Sequence, residues 1–181
     1  MSTDNARSSE RVAHTFALLP IGTAIPDMPQ ITSVAVVPFN DDGEIVVALL
    51  NHRGMDLPGG HVENVDATCE DTARRETLEE ICARLGELKL VGIIESTMLR
   101  NGKPTYMVAM AGSITHLEPL HFAAGEESSD RMTISVDKFL QQYRGLPQMS
   151  EIVLRAQKIY KEELSPVRST SPRCLMKECA L

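Results

Sequence analysis

The first clear pattern along the chain is a pair of β-rich apolar runs on either side of a turn. Residues 31–39 read Ile-Thr-Ser-Val-Ala-Val-Val-Pro-Phe, and residues 44–50 read Glu-Ile-Val-Val-Ala-Leu-Leu. Between them, Asn40, two aspartates and Gly43 form a turn signal, so the pattern predicts a β-hairpin. Residues 1–30 show no steady period and contain three prolines, and we expect an N-terminal arm or a lone edge strand there.

A helical period replaces the strand pattern after a glycine-rich loop at 54–66. Thr68, with Asp71 three residues later, matches a capping box. We therefore expect a helix that starts near Thr68 and runs to about Leu85, just before Gly86.

The rest of the chain contains two more strand patterns and two more helical patterns. The predicted elements are strands at 88–98 and 105–114, a loop at 121–130, and helices at 136–143 and 150–164. From residue 165 the chain is rich in Ser, Pro and Arg, which predicts a flexible C-terminal tail over 165–181. Together these elements predict one mixed α/β domain over residues 31–164.

Composition and charge narrow the class of protein. Apolar residues make up 43% of the 181 residues and charged residues 24%, which is typical of a soluble globular domain. The formal net charge of -7 opposes a broad surface for polymeric nucleic acid, because such a surface needs clustered Lys and Arg. No apolar stretch approaches the ~20 residues that span a bilayer, and the polar N-terminus lacks the features of a secretion signal. We expect a cytoplasmic protein that binds neither polymeric nucleic acid nor a membrane.

The four cysteines, at positions 69, 82, 174 and 179, show neither a C-x-x-C pair nor a zinc spacing. Cys69 and Cys82 fall in the predicted helix. Buried small side chains or free thiols are therefore a better interpretation than a disulfide framework.

The predicted helix carries three glutamates on one face. Glu76, Glu79 and Glu80 stand at i, i+3 and i+4, so their carboxylates crowd together. One interpretation is a solvated surface, with Arg75 paired to Glu79 and Arg84 paired to Glu80, each four residues apart. The competing interpretation is a metal site, because Mg²⁺ and Mn²⁺ prefer oxygen ligands and bridge carboxylates to phosphates.

A glycine loop ahead of this helix favours the metal site. Gly59 and Gly60 permit close approaches of the backbone that other residues prevent. An acidic protein that binds a polyphosphate also needs a cation to hold it. The glycine loop and the carboxylate helix therefore predict a compact site.

Together these residues resemble the Nudix signature, G-x5-E-x7-R-E-U-x-E-E-x-G-U, in which U is a bulky aliphatic residue. The matching positions are Gly60, Arg75, Glu76, Glu79 and Glu80. The resemblance implies the α/β/α sandwich of that family, with a mixed sheet. It also implies hydrolysis of a diphosphate linkage in a nucleoside diphosphate derivative such as ADP-ribose, a dinucleotide or a modified nucleoside triphosphate, with Mg²⁺ or Mn²⁺ as cofactor.

The chain departs from the signature at four places, one of which is the last aliphatic position, where the small residue Ala83 stands. One extra residue separates Gly60 from Arg75, so Asp66 fits the first acidic position only if the loop carries an insertion. Thr77 stands at the aliphatic position and Cys82 at the later glycine. No carboxylate is lost, but Cys82 puts in doubt the close backbone packing that glycine allows at the helix end.

The resemblance also implies roles for the residues of the box. Glu76 and Glu80 would bind the principal metal, with Glu79 as a further ligand or as the base that activates water. Arg75 would hold a carboxylate in position, a task that suits its planar guanidinium.

Further site residues are expected from their positions. Glu127 lies in an acidic stretch with Glu126 and Asp130, just before residues 131–137, where many members of the family carry an additional acid. We expect His61 to face solvent. The residues expected to contact substrate are His52, Arg53, Gly59, Gly60 and Glu63.

Two other functions remain open. A nucleotide-sensing module of the same fold would bind without turnover, and Cys82 and the shifted spacing favour it. An isomerase acting on a prenyl diphosphate also shares the fold, but no cysteine stands at a strand end to protonate an alkene. The expected partner is a small nucleotide-like diphosphate, and a homodimer is possible.

Overall fold

The computed structural model describes residues 15–52, 54–100, 102–121 and 128–166, apart from the Met98 side chain. None of the helices in these ranges has the length and apolar character needed to cross a bilayer. The predictions that concern Arg53, Glu127 and the tail from residue 167 lie outside the described residues.

The described chain forms eight strands and three α-helices. The strands are β1 Phe16–Leu18, β2 Ile31–Phe39, β3 Ile45–Leu50, β4 Gly54–Asp56, β5 Gly59–His61, β6 Ala83–Arg100, β7 Lys103–Leu117 and β8 Ser128–Ile134. The helices are α1 Cys69–Ile81, α2 Val136–Gln142 and α3 Gln148–Ile159. A short 3-10 turn, Met28–Gln30, precedes β2, and a π-helical turn, Tyr160–Leu164, follows α3.

Strand β2 is the centre of the sheet because three strands pair with it. It runs parallel to β7 from Ile31 to Phe39, antiparallel to β5 over Ser33–Ala35, and meets β3 at Phe39 opposite Ile45. The sheet order is β1-β6-β7-β2-β3-β4, with β8 on β3. Strands β2 and β3 of the predicted hairpin therefore pair next to their turn, because β5 pairs with the part of β2 that lies farther from the turn.

Helices cover both faces of this mixed sheet. Cys69 and Ala73 of α1 pack with Val34 and Val36 of β2. On the opposite face, residues of α2 and α3 pack with the alternate positions of β2 and β3; these are Phe139, Met149, Ile152 and Val153 against Val37, Phe39, Ile45 and Val47. The predicted α/β/α sandwich is confirmed.

The prediction that α1 extends to about Leu85 is wrong. The helix ends at Ile81, and Cys82 adopts a left-handed conformation with φ of 51°. Its N–H donates to the Leu78 carbonyl at 3.1 Å, and β6 begins at the next residue. A residue other than glycine in this conformation costs about 1–2 kcal/mol.

The early end of α1 also changes the partner of Arg84. That residue lies on β6 rather than on the helix, so it cannot pair with Glu80 across one helical turn. Its Nε donates to Glu118 at 2.5 Å instead.

Long-range pairing explains most other departures from the predicted elements. Strands β6 and β7 extend beyond the predicted runs at 88–98 and 105–114 because they pair with each other over most of their length. The prediction of a loop over 121–130 is wrong for residues 128–130, because β8 begins at Ser128 and pairs with β3. Within the N-terminal segment, β1 is an edge strand on β6.

Arg131 of β8 holds the C-terminal end of α1. Its Nη1 donates to the carbonyls of Ile81 at 2.8 Å, Cys82 at 3.2 Å and Glu118 at 2.8 Å. The last carbonyls of a helix lack partners within the helix, and a cation there is favoured by the helix dipole. Arg131 thus stabilises the end of α1, where Cys82 stands at the glycine position of the Nudix signature. The thiols of Cys82 and Cys69 are free and buried.

We predict that Arg131→Ala lowers the free energy of unfolding by about 2–3 kcal/mol, because hydrogen bonds to a charged group each contribute about 1.5–3 kcal/mol. The matched control is Arg84→Ala, which removes an exposed ion pair and should cost less than about 1 kcal/mol. Urea unfolding of both variants measures the difference. Equal losses of stability would show that Arg131 does not hold the end of α1.

Candidate active site

An open cavity of about 1130 Å³ lies over the glycine strand β5 and one face of α1. Five acids line it, and we call them the acidic wall: Asp56, Glu63, Glu76, Glu79 and Glu80. Much of the remaining lining is apolar and includes Met55, Met107, Leu146 and Met149. The cavity therefore combines carboxylates with a surface suited to an apolar group.

The glycine loop shapes the floor of this cavity. A side chain at Gly59 would overlap the Val34 carbonyl of β2, because β5 and β2 lie in contact there. A side chain at Gly60 would overlap the carboxylate of Glu76. The Gly59 N–H donates to Oε2 of Glu80 at 2.9 Å. Both helix carboxylates thus lie directly against β5.

Arg75 is the hydrogen-bonding centre of the acidic wall. It donates to Asp66 through Nε at 3.2 Å and through Nη2 at 2.8 Å. Its Nη1 donates to Glu76 at 2.8 Å and to Glu79 at 3.1 Å. Nη2 also reaches the His61 carbonyl at 2.9 Å, so one guanidinium connects α1, β5 and the loop between them.

Asp66 is the most firmly held of these acids. Its side chain is 3% exposed, and it also accepts from the Glu63 N–H at 2.9 Å and the Thr72 hydroxyl at 3.0 Å. The hydrogen bond from Arg75 is the main reason that the pKa of Asp66 falls to about 2. The same hydrogen bond raises the pKa of Arg75 further above its usual range. The pair is therefore fully ionised at neutral pH.

Glu76 is in the opposite situation. The residue is 8% exposed, and burial raises the pKa of its carboxyl although Arg75 acts in the other direction. Glu79 and Glu63 add further repulsion. A carboxylate that has lost water and faces like charges gains from a cation placed beside it.

The carboxylates are suited to a divalent ion but are not yet gathered around one. Within the described part of the chain, no three Asp, Glu, His or Cys side chains form a ready-made metal site. Oxygens of Glu76 and Glu79 bind Arg75 instead, and Glu80 binds the Gly59 N–H. Three glutamates on one wall nevertheless form the oxygen-rich donor set that Mg²⁺ and Mn²⁺ prefer. The chemistry of these donors therefore fits such an ion.

The structure gathers some predicted site residues and separates others. Gly59, Gly60 and Glu63 line the cavity with the glutamates of α1. His61 is exposed and also lines the cavity. His52 is exposed in the turn after β3 and is not among the residues that line the cavity.

Sequence reasoning missed several residues of the site. Asp66 was recognised only as a misfit in the spacing, although Arg75 beside it signalled a possible ion pair. Asp56 and Arg144 line the cavity but lie outside any motif. Ser128 also lines it, and its buried hydroxyl has no hydrogen-bond partner within the part of the chain that the structure describes. Only the folded arrangement brings these three to the cavity.

The chain is similar to known proteins in sequence and in fold. The NUDIX domain family matches residues 29–155. A solved structure of the Bacillus subtilis pyrophosphohydrolase BsRppH has 22% identity and a TM-score of 0.60, covering 85% of this chain and 94% of that chain. A NUDIX hydrolase from Nitrosomonas europaea has 19% identity and a TM-score of 0.58, covering 78% and 95%.

A third similar structure contains a ligand. The NUDIX domain of Shewanella oneidensis NrtR, complexed with ADP ribose, has 14% identity and a TM-score of 0.56, covering 71% of this chain and 87% of that chain. No curated protein sequence matches the chain. At these identities, the similarity to solved structures establishes the fold alone.

We predict that Gly60→Ala weakens metal binding with little loss of stability, whereas Gly59→Ala lowers the stability of the fold. The new methyl group of Gly60→Ala meets only the end of the Glu76 side chain, so the free energy of unfolding should change by less than about 1 kcal/mol. Displacement of that carboxylate should weaken Mn²⁺ binding about tenfold. Gly59→Ala meets the backbone of β2 and should cost about 2 kcal/mol.

Urea unfolding and calorimetric titration with Mn²⁺ measure the two effects. Unchanged Mn²⁺ affinity in Gly60→Ala would show that the Glu76 carboxylate does not bind the ion.

Proposed function

This chain belongs to the Nudix family of hydrolases, and from that premise we propose that it cleaves a diphosphate linkage in a nucleoside diphosphate derivative with the help of a divalent metal ion. The catalytic domain in this proposal comprises residues 31–164. The observation that carries the proposal is the acidic wall, in which three glutamates of one helix face a cavity together.

We propose Mg²⁺ or Mn²⁺ as the cofactor. Glu76 and Glu80 would hold it, because β5 keeps both carboxylates against the cavity floor. When bound there, the ion neutralises the diphosphate and lowers the pKa of a bound water. The loss of water around Glu76 supports this assignment, since a nearby cation offsets the cost of a buried charge.

The remaining residues of the wall position the reacting groups. Arg75, anchored on Asp66, orients Glu76 and Glu79 through hydrogen bonds. Glu79 has a side chain that is 53% exposed, so it can take the proton of an attacking water. The proton leaves the water as its oxygen bonds to phosphorus, and the bond from phosphorus to the bridging oxygen breaks.

The substrate class follows from the lining of the cavity. A diphosphate suits the acidic wall once a cation is present, and a nucleoside suits the apolar lining with Met55, Met107 and Met149. The ADP ribose bound to the NUDIX domain of NrtR supports a ligand of this class. ADP-ribose, dinucleotides and modified nucleoside triphosphates are the candidates to test.

A nucleotide-sensing module is the second candidate function. The replacement of glycine by Cys82 favoured it, because a disturbed helix end would displace Glu79 and Glu80. In the fold, Cys82 keeps a left-handed conformation and Arg131 holds the helix end. This geometry supports a hydrolase over a sensor without turnover.

We predict that the purified protein hydrolyses at least one member of a panel of these compounds with Mg²⁺ or Mn²⁺, and that EDTA abolishes the activity because three carboxylates alone repel a phosphate. Phosphate-containing products are separated by ion-exchange chromatography. Excess Mg²⁺ added after EDTA is the control and should restore the rate. Metal-dependent binding of a compound without any hydrolysis would favour the sensor, and full activity after exhaustive EDTA treatment would exclude the metal mechanism.

We predict that Glu79→Gln lowers kcat about a hundredfold or more, because general base catalysis contributes about 10²–10⁴-fold. Glu127→Gln is the comparison and should reduce kcat less, because Glu79 stands on a rigid helix, which holds reacting geometry well. A larger loss in Glu127→Gln would assign the base to that residue instead.

A further inference from the structure

Among the described residues, two arginines line the cavity, and the two differ in whether carboxylates of the protein already neutralise their charge. Arg75 binds the carboxylates of Asp66, Glu76 and Glu79. Arg144 binds no carboxylate of the described chain and donates to the backbone carbonyls of Gln141 at 2.8 Å and Tyr143 at 2.9 Å. Its positive charge is thus not offset by an ion pair within the described residues.

Arg144 stands on a well-packed turn between α2 and α3. The ring of Tyr143 stacks on Phe139 with centroids 4.8 Å apart. A side chain at Gly145 would overlap the Tyr143 ring, so glycine allows this turn to close over the tyrosine. Both recorded hydrogen bonds of Arg144 use Nη1, and the residue itself is exposed. The turn therefore presents a guanidinium whose position is fixed by the backbone.

The charges around the cavity favour an anion-binding role for this guanidinium. Asp56, Glu63 and the three glutamates of α1 repel an anion, and the whole chain has a net charge of -7. A divalent ion at α1 adds two positive charges there, while a diphosphate brings at least two negative charges of its own. An arginine binds phosphate oxygens through two parallel hydrogen bonds, which adds affinity and orientation.

The cavity lining also includes a buried hydroxyl that has no hydrogen-bond partner among the described residues. This hydroxyl belongs to Ser128, a residue that is 4% exposed. A buried hydroxyl without a partner carries an energetic cost, which a bound polar ligand removes.

We propose that Arg144 binds the phosphate of the substrate that faces away from the glutamates of α1, and so contributes to the affinity for the substrate. This inference rests on the proposed hydrolase function for the identity of the ligand. Arg144 binds the substrate and takes no part in proton transfer.

The experiment compares Arg144→Gln and Arg144→Lys with the wild-type protein. The matched control is Lys138→Gln, which makes the same change in charge at an exposed residue of α2 that does not line the cavity. Calorimetry measures the binding of α,β-methylene-ADP, whose P–C–P link resists hydrolysis, and of AMP, in the presence of Mg²⁺. Steady-state kinetics with the best substrate of the panel gives KM and kcat separately, and thermal melting checks that each variant is folded.

In Arg144→Gln we expect KM and the Kd of α,β-methylene-ADP to rise about tenfold, which corresponds to about 1.4 kcal/mol. The value of kcat should stay within twofold, because the lost contact is made equally before and during the reaction. Binding of AMP should change less than binding of the diphosphate analogue. Arg144→Lys should regain part of the affinity, and Lys138→Gln should match the wild type.

The outcomes separate this inference from the proposed function. If the wild type hydrolyses its substrate and Arg144→Gln keeps the wild-type KM and Kd, the role of Arg144 is wrong and the hydrolase stands. Equal weakening of α,β-methylene-ADP binding in Lys138→Gln would also overturn the proposed role of Arg144. If no compound is hydrolysed but Arg144→Gln still weakens binding of the analogue, the role of Arg144 holds and the hydrolase proposal fails.

Discussion

The interaction on which this site depends is the contact between one arginine and a group of acids that would otherwise repel each other. Arg75 binds Asp66 through two nitrogens and reaches Glu76 and Glu79 with a third. Because Asp66 also accepts hydrogen bonds from Thr72 and the Glu63 backbone, it fixes the loop before α1 as well as the arginine. A single guanidinium thus allows several carboxylates to stand on one wall of a folded protein.

The geometry of α1 is fixed at both ends, and this makes the wall rigid. At the start, Thr68 and Asp71 exchange hydrogen bonds in the predicted capping box. At the end, Cys82 carries the strain of a left-handed residue, and Arg131 binds the helix carbonyls from β8. Glycine would relieve that strain locally. This chain stabilises the helix end through a long-range contact instead, so the position of the glutamates depends on β8 as well as on α1.

The sequence could predict the features that depend on local pattern. The capping box placed the start of α1, and the i, i+3, i+4 spacing placed its glutamates on one face. The end of α1 was predicted too late, because a cysteine rarely adopts a left-handed conformation, although Cys82 stands where the Nudix signature has glycine. Strand β8, Asp66 beside Arg75, and Arg144 in the cavity lining escaped prediction for another reason. Each depends on contacts between segments that only the folded sheet brings together.

The same arginine explains why the glutamates do not already surround a metal position. Without a cation, Glu76 and Glu79 lower their mutual repulsion by binding Arg75. In our proposal a divalent ion would compete with Arg75 for the Glu76 oxygen, while Asp66 would keep the arginine in place through its own two hydrogen bonds. Most of the hydrogen-bonding capacity of Arg75 is therefore used by the protein's own acids. Arg144 lines the same cavity and has no carboxylate partner among the described residues, so in our proposal it supplies the positive charge that a substrate phosphate binds.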